Sequence, residues 1–255
     1  MIPDHENRFE NFFANEKYLS LKNYLYNYLV RKRAVEKAME DETKALVLEI
    51  GSGISPVFTS WDQIVYSDLS ATALETLKRT HGKGRYVVAD AMNLPFEDES
   101  FSHVIASEVL EHLENDRLAL QEIARVTRQG GTFIVTFPHR HFYFAHDDRY
   151  VHHYRRYELS EMTALLEEAG FFPVSVRKVL GPLEKLTMLL VTGCASAARK
   201  LGRSFFEEKT DASLPDFLIG FFKWANRFYA IWARLDAIIL PVSLSTVLLI
   251  KARKR

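Results

Sequence analysis

The sequence ALVLEIGSGISP occupies residues 45–56. It begins with a short apolar run leading to Glu49, which predicts a strand buried in a parallel sheet. Gly51 and Gly53 predict a tight turn at the carboxyl end of that strand, because a residue without a Cβ lets the backbone approach a nucleotide closely. Pro56 suits the first position of a following helix, whose free N–H groups favour polar or anionic ligands. We therefore expect a nucleotide-binding turn here.

The spacing of these glycines argues against a dinucleotide site and an oxidoreductase. The G-x-G-x-x-G fingerprint needs its third glycine at position 56, which is Pro56 in this chain. An acidic strand end followed by two spaced glycines, E-x-G-x-G, resembles instead the first motif of class I S-adenosylmethionine-dependent methyltransferases. In that family a third glycine or small residue often follows Gly53; here Ser55 and a shortened helix follow, which bears on how the carboxylate end of the cofactor is held.

A second predicted strand, residues 63–70, contains Asp68, which lies 17 residues after Gly51. This is close to the spacing at which an acidic side chain accepts hydrogen bonds from two ribose hydroxyls. The alternative is helix capping, since Asp68 or Ser70 would also suit the N-cap of a helix over residues 71–79. The connection between the first two strands is short, so we expect any helix within it to be stunted.

The resemblance becomes specific between residues 90 and 113. Three motifs occur in the family's order: D-A-x-x-L-P-F from Asp90, D-x-S-F-x-x-V-I from Asp98 and E-V-L-E-H-L from Glu108. Together they resemble the methyltransferase type 11-like members of the class. The resemblance implies that Asp90 faces the adenine amino group and that Ser107 lies near the methionine end of the cofactor. It assigns cofactor binding to Glu49, Gly51, Ser52, Gly53, Asp68, Leu69, Asp90, Ala91, Met92 and Ser107.

The resemblance also implies the fold class, α/β with a Rossmann-like sheet. We expect seven mostly parallel strands with helices on both faces, an antiparallel last strand, and a helical insertion before that strand. Residues 132–138, 171–179 and 245–253 are the predicted fifth, sixth and seventh strands. The implied organisation is a helical lid over residues 1–44, which includes an amphipathic helix from about residue 9 to 40, a cofactor-binding core over 45–182, the insertion over 183–243, and the last strand with a basic tail over 244–255.

Residues 139–157 read HRHFYFAHDDRYVHHYRRY and hold five of the nine histidines. A metal site, a nucleic-acid surface and an acceptor-binding loop after the fifth strand are the three interpretations. The end of the segment resembles a family loop that closes on the substrate, so we prefer the third. If the acceptor is a hydroxyl, four residues are suited by type to act as a general base: His139, His146, His153 and Tyr157. Of these we prefer His153. A carbon or amine acceptor needs no base.

Glu108, Glu111 and His112 suggest a metal site by residue type, since such side chains at helical spacing share a face. The apolar residues between them favour ordinary helix packing, and we expect no metal.

Charge is unevenly distributed although the net charge is zero. Residues 1–182 carry 21 Lys and Arg against 27 Asp and Glu, whereas residues 183–255 carry 12 against 6. The apolar, basic insertion is interpreted either as a cap on the core or a second subunit, or as a surface that touches a membrane or lipid-like substrate. The single cysteine, Cys194, and the polar first 16 residues predict a cytoplasmic protein without a signal peptide. The second interpretation of the insertion adds peripheral membrane contact through residues 183–243.

The sequence thus predicts an enzyme, an S-adenosylmethionine-dependent methyltransferase that acts on a small-molecule or lipid-like acceptor and releases S-adenosylhomocysteine. The alternatives are a non-catalytic S-adenosylmethionine-binding protein and a methyltransferase of a protein or RNA acceptor. No DNA partner is expected.

Overall fold

A computed structural model describes residues 21–200 and 216–255. Within them, seven strands form one sheet in the order β3-β2-β1-β4-β5-β7-β6. Strand β7 runs antiparallel to both of its neighbours, and the other pairs are parallel. The predicted fold class is therefore confirmed. The strands are β1 (Val47–Ile50), β2 (Ile64–Asp68), β3 (Arg85–Val88), β4 (Phe101–Ser107), β5 (Thr127–Pro138), β6 (Phe171–Leu180) and β7 (Val247–Lys254).

Helices cover both faces of the sheet, because successive strand residues point to opposite sides. The helices are α1 (Tyr26–Met39), α2 (Ala71–His81), α3 (Asp116–Val126), α4 (His146–Tyr150), α5 (Leu159–Glu168), α6 (Pro182–Lys200) and α7 (Asp216–Ile239), with 3₁₀ turns at Leu110–His112, His141–Tyr143 and Val242–Leu244. Phe133 and Val135 of β5 pack in one core with α3 and α5, whereas Ile134 packs in the other core with α1, α2 and α7.

The segment between β1 and β2 contains no helix, so the expected stunting is complete and the helix expected to begin at Pro56 is wrong. Side chains hold this loop in place. The buried carboxylate of Glu49 accepts hydrogen bonds from the N–H groups of Val57 (2.7 Å) and Phe58 (3.1 Å), and Glu36 accepts the N–H of Thr59 at 2.9 Å. These bonds tie the loop to β1 and to the N-terminal helix.

The N-terminal helix and the insertion pack against each other. Tyr26 of α1 meets Tyr229 of α7 edge to face at 4.7 Å, and the Tyr26 N–H donates to the Asn226 side chain at 3.1 Å. Residues 9–20 of the predicted N-terminal helix, and residues 201–215 of the insertion, lie outside the described part of the chain. Among the described helices none combines the length and apolar content that a membrane crossing requires.

Candidate cofactor and acceptor site

The turn after β1 depends on glycine. Gly51 has φ +67° and Gly53 has φ +52°, both in the left-handed region that side chains disfavour. A Cβ on Gly51 would also lie 2.5 Å from Cγ2 of Val109, the residue that follows Glu108 after β4. Ser52 between the glycines is buried, and its N–H donates to the carbonyl of Ser67 at 3.0 Å. The turn is therefore pressed between the ends of β2 and β4.

Glu49 lies behind this turn. Both carboxylate oxygens are held by the loop N–H groups described above, and burial raises the pKa of Glu49 to about 8 despite those bonds. The structure thus places Glu49 where it shapes the turn.

Asp68 ends β2 and connects it to the glycine turn. Its Oδ2 accepts the Gly53 N–H at 2.8 Å, and its Oδ1 accepts the Ser70 N–H at 2.9 Å. Burial raises the pKa of Asp68, although these hydrogen bonds act in the opposite direction. The helix-capping role belongs to Ser70, whose hydroxyl accepts the Ala73 N–H at 3.2 Å. Leu69 is exposed beside them.

Asp90 follows β3, the next strand along the same edge of the sheet. Its Oδ1 accepts the Met92 N–H at 2.9 Å, which folds the half-buried Met92 and the buried Ala91 into a tight turn. On the other side of β1, Ser107 ends β4, and its hydroxyl lies 2.8 Å from that of Thr136. Because β1 to β4 are parallel, their carboxyl ends, and with them the predicted cofactor residues, lie at one edge.

Arg31 of α1 also reaches this edge, and sequence reasoning missed it. Its guanidinium approaches the Glu108 carboxylate at 3.5 Å, and its Nε is buried without a hydrogen-bond partner. One turn earlier on the same face, the Tyr28 hydroxyl donates to the carbonyl of Pro56 in the loop after the turn, at 2.8 Å. An arginine in an amphipathic segment carries no sequence signal of such a position.

Three of the predicted acceptor-side residues occupy different surroundings. His139 is buried, with Nδ1 2.9 Å from the carbonyl of Ser245. Tyr157 is also buried, and its hydroxyl donates to Asp116 at 2.8 Å; burial and the Asp116 charge raise the pKa of Tyr157. A backbone bridge pairs His139 with Tyr157. His146 is exposed at the start of α4.

His153 lies instead in a buried polar cluster. Its Nδ1 is 3.0 Å from Asp148 Oδ1. Asp148 also accepts hydrogen bonds from Arg156 Nε and Lys185 Nζ, each at 2.7 Å. Burial alone would raise the pKa of Asp148, but His153, Arg156 and Lys185 together hold it well below its usual range. On the other side, His153 stacks edge to face on His112 at 4.7 Å.

A mostly parallel sheet with a glycine turn and acidic side chains at adjacent strand ends is the arrangement of Rossmann-like folds, which bind nucleotides at this edge. Residues 48–135 match the family described as "Methyltransferase domain". Over these residues the chain is similar to the class I S-adenosylmethionine-dependent methyltransferases, the class that the sequence predicted, and the cofactor of that class is S-adenosylmethionine.

Curated relatives agree with this placement. A demethylmenaquinone methyltransferase of Streptomyces griseus is 30% identical over 108 residues, which cover 41% of this chain and 47% of that protein. A "Probable S-adenosylmethionine-dependent methyltransferase" of Mycobacterium tuberculosis is 25% identical over 162 residues, which cover 62% of this chain and 59% of that protein. The chain therefore spans about half the length of the curated relatives it matches.

Among solved structures, one chain of the complex that contains the Haloferax volcanii Trm112 methyltransferase activator has a similar fold, with a TM-score of 0.64 and 15% identity. The match covers 96% of this chain and 97% of the other. It shows that the fold, including the region outside the family match, has a solved counterpart.

Proposed function

We propose that the protein transfers the methyl group of S-adenosylmethionine to a small-molecule or lipid-like acceptor. The observation that carries this proposal is that the glycine turn, Asp68, Asp90 and Arg31 meet at the carboxyl edge of the sheet, beside the histidine-rich segment that follows β5. The cofactor supplies the reactive methyl group. The chain binds and aligns the two reactants and excludes water.

The cofactor-binding residues keep the roles that the resemblance implies. Asp68 binds the ribose hydroxyls, since each carboxylate oxygen that accepts one backbone N–H has a second lone pair. Asp90 faces the adenine amino group, with Ala91 and Met92 beside the ring, and Ser107 lies near the methionine end. We add Arg31, whose buried and unpaired Nε fits the carboxylate of the methionine moiety. The sequence, with Ser55 after the glycine turn, did not indicate which residue holds the carboxylate end of the cofactor, and Arg31 is proposed to do so.

The N-terminal segment is proposed to act as the lid, residues 1–44. Its described helix α1 is bonded to the loop after the glycine turn: Tyr28 contacts Pro56, Lys32 Nζ lies 2.6 Å from the Thr59 hydroxyl, and Glu36 accepts the Thr59 N–H at 2.9 Å. These bonds fix α1 across the cofactor edge. The core (45–182), the insertion (183–243) and the last strand with its basic tail (244–255) complete the proposed organisation.

The acceptor is proposed to bind beside His153, on the segment between β5 and α5. His153 is the residue we place nearest the acceptor, because Asp148 fixes its ring while Nε2 faces away from that carboxylate. His139 and Tyr157 remain predictions for the same role. A small, apolar acceptor is supported by the similarity to a demethylmenaquinone methyltransferase.

The insertion is proposed to contact an anionic membrane, with the protein in the cytoplasm. Along α7 most of the exposed residues are large and apolar: Phe217, Phe221, Trp224, Phe228, Ile231, Trp232, Leu235, Ile238 and Ile239. The opposite face, with the buried Ala233 and Ala237, packs on the protein. A helix that presents its apolar face to solvent marks an interaction surface, and the basic charge of residues 183–255 favours an anionic one.

Calorimetric titration with S-adenosylmethionine and S-adenosylhomocysteine tests the proposal. We expect micromolar binding of both, loss of binding in Asp68→Ala and Asp90→Ala, and unchanged binding in the control Asp62→Ala, whose side chain is 84% exposed and paired with Lys83. Near wild-type affinity in both site variants would contradict the assigned site. Absence of binding by the wild-type protein would refute the function.

Turnover separates the enzyme from a non-catalytic binding protein. The enzyme should release S-adenosylhomocysteine when incubated with extracted lipids and quinones, whereas a binding protein would retain the cofactor unchanged. Release only with protein or RNA fractions would favour the alternative acceptors.

A further inference from the structure

We infer that Glu111, His112 and His153 form a binding site for a divalent transition-metal ion. The inference goes beyond the proposed function, since the ion would be held by the chain's own side chains and its binding is measured without cofactor or acceptor. Sequence analysis treated the E-V-L-E-H-L motif and the histidine-rich segment separately and expected no metal. The fold brings one histidine of the second segment onto the first.

The geometry suits one ion. One ligand atom from each of the three residues lies within 4.8 Å of the others. Ligand atoms bound to one ion at about 2.0–2.2 Å lie about 3–4 Å apart, so small side-chain rotations close the set. Two imidazoles and one carboxylate are three protein ligands, an arrangement that leaves coordination positions open for a substrate or water.

The burial of the Glu111 carboxylate without a hydrogen-bond partner requires an explanation. Its side chain is 0% exposed, and neither carboxylate oxygen has a hydrogen-bond partner. Buried polar groups are almost always paired, because desolvation without a partner is costly. His153 Nε2 lies 3.9 Å from Oε1, beyond hydrogen-bond distance. A metal ion among these three side chains would provide the missing partner.

The surroundings of His153 match those of a metal-binding histidine. Such a residue usually donates its other ring N–H to a carboxylate, which fixes the ring and its tautomer. Here Nδ1 lies 3.0 Å from Asp148, and Nε2 is left on the side of Glu111. Asp148 is fixed in turn by Arg156 and Lys185.

The donor set selects the type of ion. Mg²⁺ and Ca²⁺ prefer oxygen ligands, whereas imidazole nitrogens suit zinc and its neighbours in the first transition row. Glu111 and His112 belong to the 3₁₀ turn after β4, close to Ser107 at the cofactor edge. An ion there would lie beside His153, the residue that we place nearest the acceptor, and a Lewis acid lowers the pKa of a bound hydroxyl or water.

The test uses the full-length protein after treatment with EDTA and dialysis, titrated with Zn²⁺ by calorimetry and with Co²⁺ by visible absorption. We expect one site per chain, a Co²⁺ spectrum of low coordination number, and a rise in melting temperature with Zn²⁺. Glu111→Gln and His153→Ala should each weaken Zn²⁺ binding by more than about 10–100-fold, the usual loss for an outer-shell change. His141→Ala is the matched control, since it removes an exposed histidine of the same segment that pairs with Glu161.

Two results would overturn the inference: no stoichiometric Zn²⁺ binding by the wild-type protein, or wild-type affinity in both site variants. Circular dichroism verifies that each variant is folded, and His153→Ala, which removes a half-buried ring, serves if Glu111→Gln does not fold. Because no cofactor is present in these titrations, failure of the metal site leaves the proposed function standing. In that case His153 would be a metal-free general base.

Discussion

Gly51 and Gly82 allow backbone strain to be separated from steric contact. Both have φ near +70°, at +67° and +71°. A Cβ at Gly82 would meet nothing within 4 Å, whereas a Cβ at Gly51 would lie 2.5 Å from Val109. The two positions therefore make the same conformational demand and differ in the space available.

We predict that Gly82→Ala costs about 1–2 kcal/mol of stability from left-handed strain alone and leaves cofactor affinity unchanged. Gly51→Ala should be less stable than Gly82→Ala and should bind S-adenosylmethionine more weakly, because the turn must move away from Val109. Urea unfolding and calorimetric titration measure the two effects. Equal losses in both variants would show that the contact with Val109 is unimportant.

Glu49 makes stability depend on pH. Its pKa is raised to about 8 in the folded protein from the ordinary value of 4.5, so the folded state binds the proton more tightly than the unfolded state. Its contribution is therefore fully present below about pH 4.5 and is lost as the pH rises through about 8. Lys32 and Glu36 are the neighbouring charged groups, and they act in opposite directions.

We predict that the wild-type protein loses stability relative to Glu49→Gln as the pH rises from about 5 to about 8. The glutamine cannot ionise, and all other groups titrate in both proteins, so the difference isolates Glu49. Urea unfolding at several pH values gives the free-energy difference. A difference that does not change with pH would mean that Glu49 ionises normally.

The sequence predicted Asp68 and Asp90 because each follows a recognisable strand and belongs to a motif with fixed spacing. It could not predict Arg31 or the environment of His153. Arg31 reaches the site through the packing of α1, and Asp148, which contacts His153, is itself bound by Lys185 from α6. Contacts of this kind depend on tertiary structure and leave no local pattern.

At the scale of elements, Lys185 joins the insertion to the acceptor segment. It lies in the first turn of α6, is buried, and contacts Asp147 at 2.6 Å and Asp148 at 2.7 Å in α4. One buried cation thus connects the helix that leads into the insertion with the carboxylate that orients His153. The position of α6 and the position of His153 are coupled through this pair of bonds.

We predict that Lys185→Ala destabilises the protein by about 3–5 kcal/mol, because removing one partner leaves buried charge uncompensated. The control Lys83→Ala breaks an exposed pair with Asp62 and should change stability little. Chemical denaturation compares the two. If Lys185→Ala is as stable as the control, water replaces the ammonium group and the two elements are not coupled.

Local rules located the strands well but failed at the loop after β1. Pro56 is favourable at the start of a helix, yet no helix forms there. The N–H groups of residues 57 and 58 donate to Glu49, a buried carboxylate at the end of β1. Contacts of this kind depend on the folded core, and sequence spacing does not reveal them.

At the scale of the whole molecule, charge and apolar surface coincide. Residues 183–255 carry an excess of positive charge, and they include the exposed aromatic side chains of α7. Two of these, Trp224 and Phe228, stack with their ring centroids 5.7 Å apart. The sequence indicated the asymmetry of charge but not which face of the helix is exposed, since the same apolar periodicity describes a buried face.

We predict that the protein sediments with anionic vesicles more than with zwitterionic ones, and that added salt weakens this binding through screening. The double variant Trp224→Ser and Phe228→Ser should lose most of it, since these side chains are 62% and 51% exposed. Phe172→Ser is the control, because Phe172 is an exposed aromatic residue on β6.

Wild-type sedimentation by the double variant would exclude α7 as the contact. Concentration-dependent association without vesicles, abolished in the same variant, would show that a second copy of the chain covers this face instead.

The position of β7 has a consequence for synthesis. This strand is the last of the seven to be made, yet it lies between β5 and β6 and hydrogen-bonds to both. Until residues 247–254 leave the ribosome, two earlier strands carry unpaired edges, and the sheet cannot close in the order in which it is translated. The sheet is completed when this strand inserts between two strands that were made earlier.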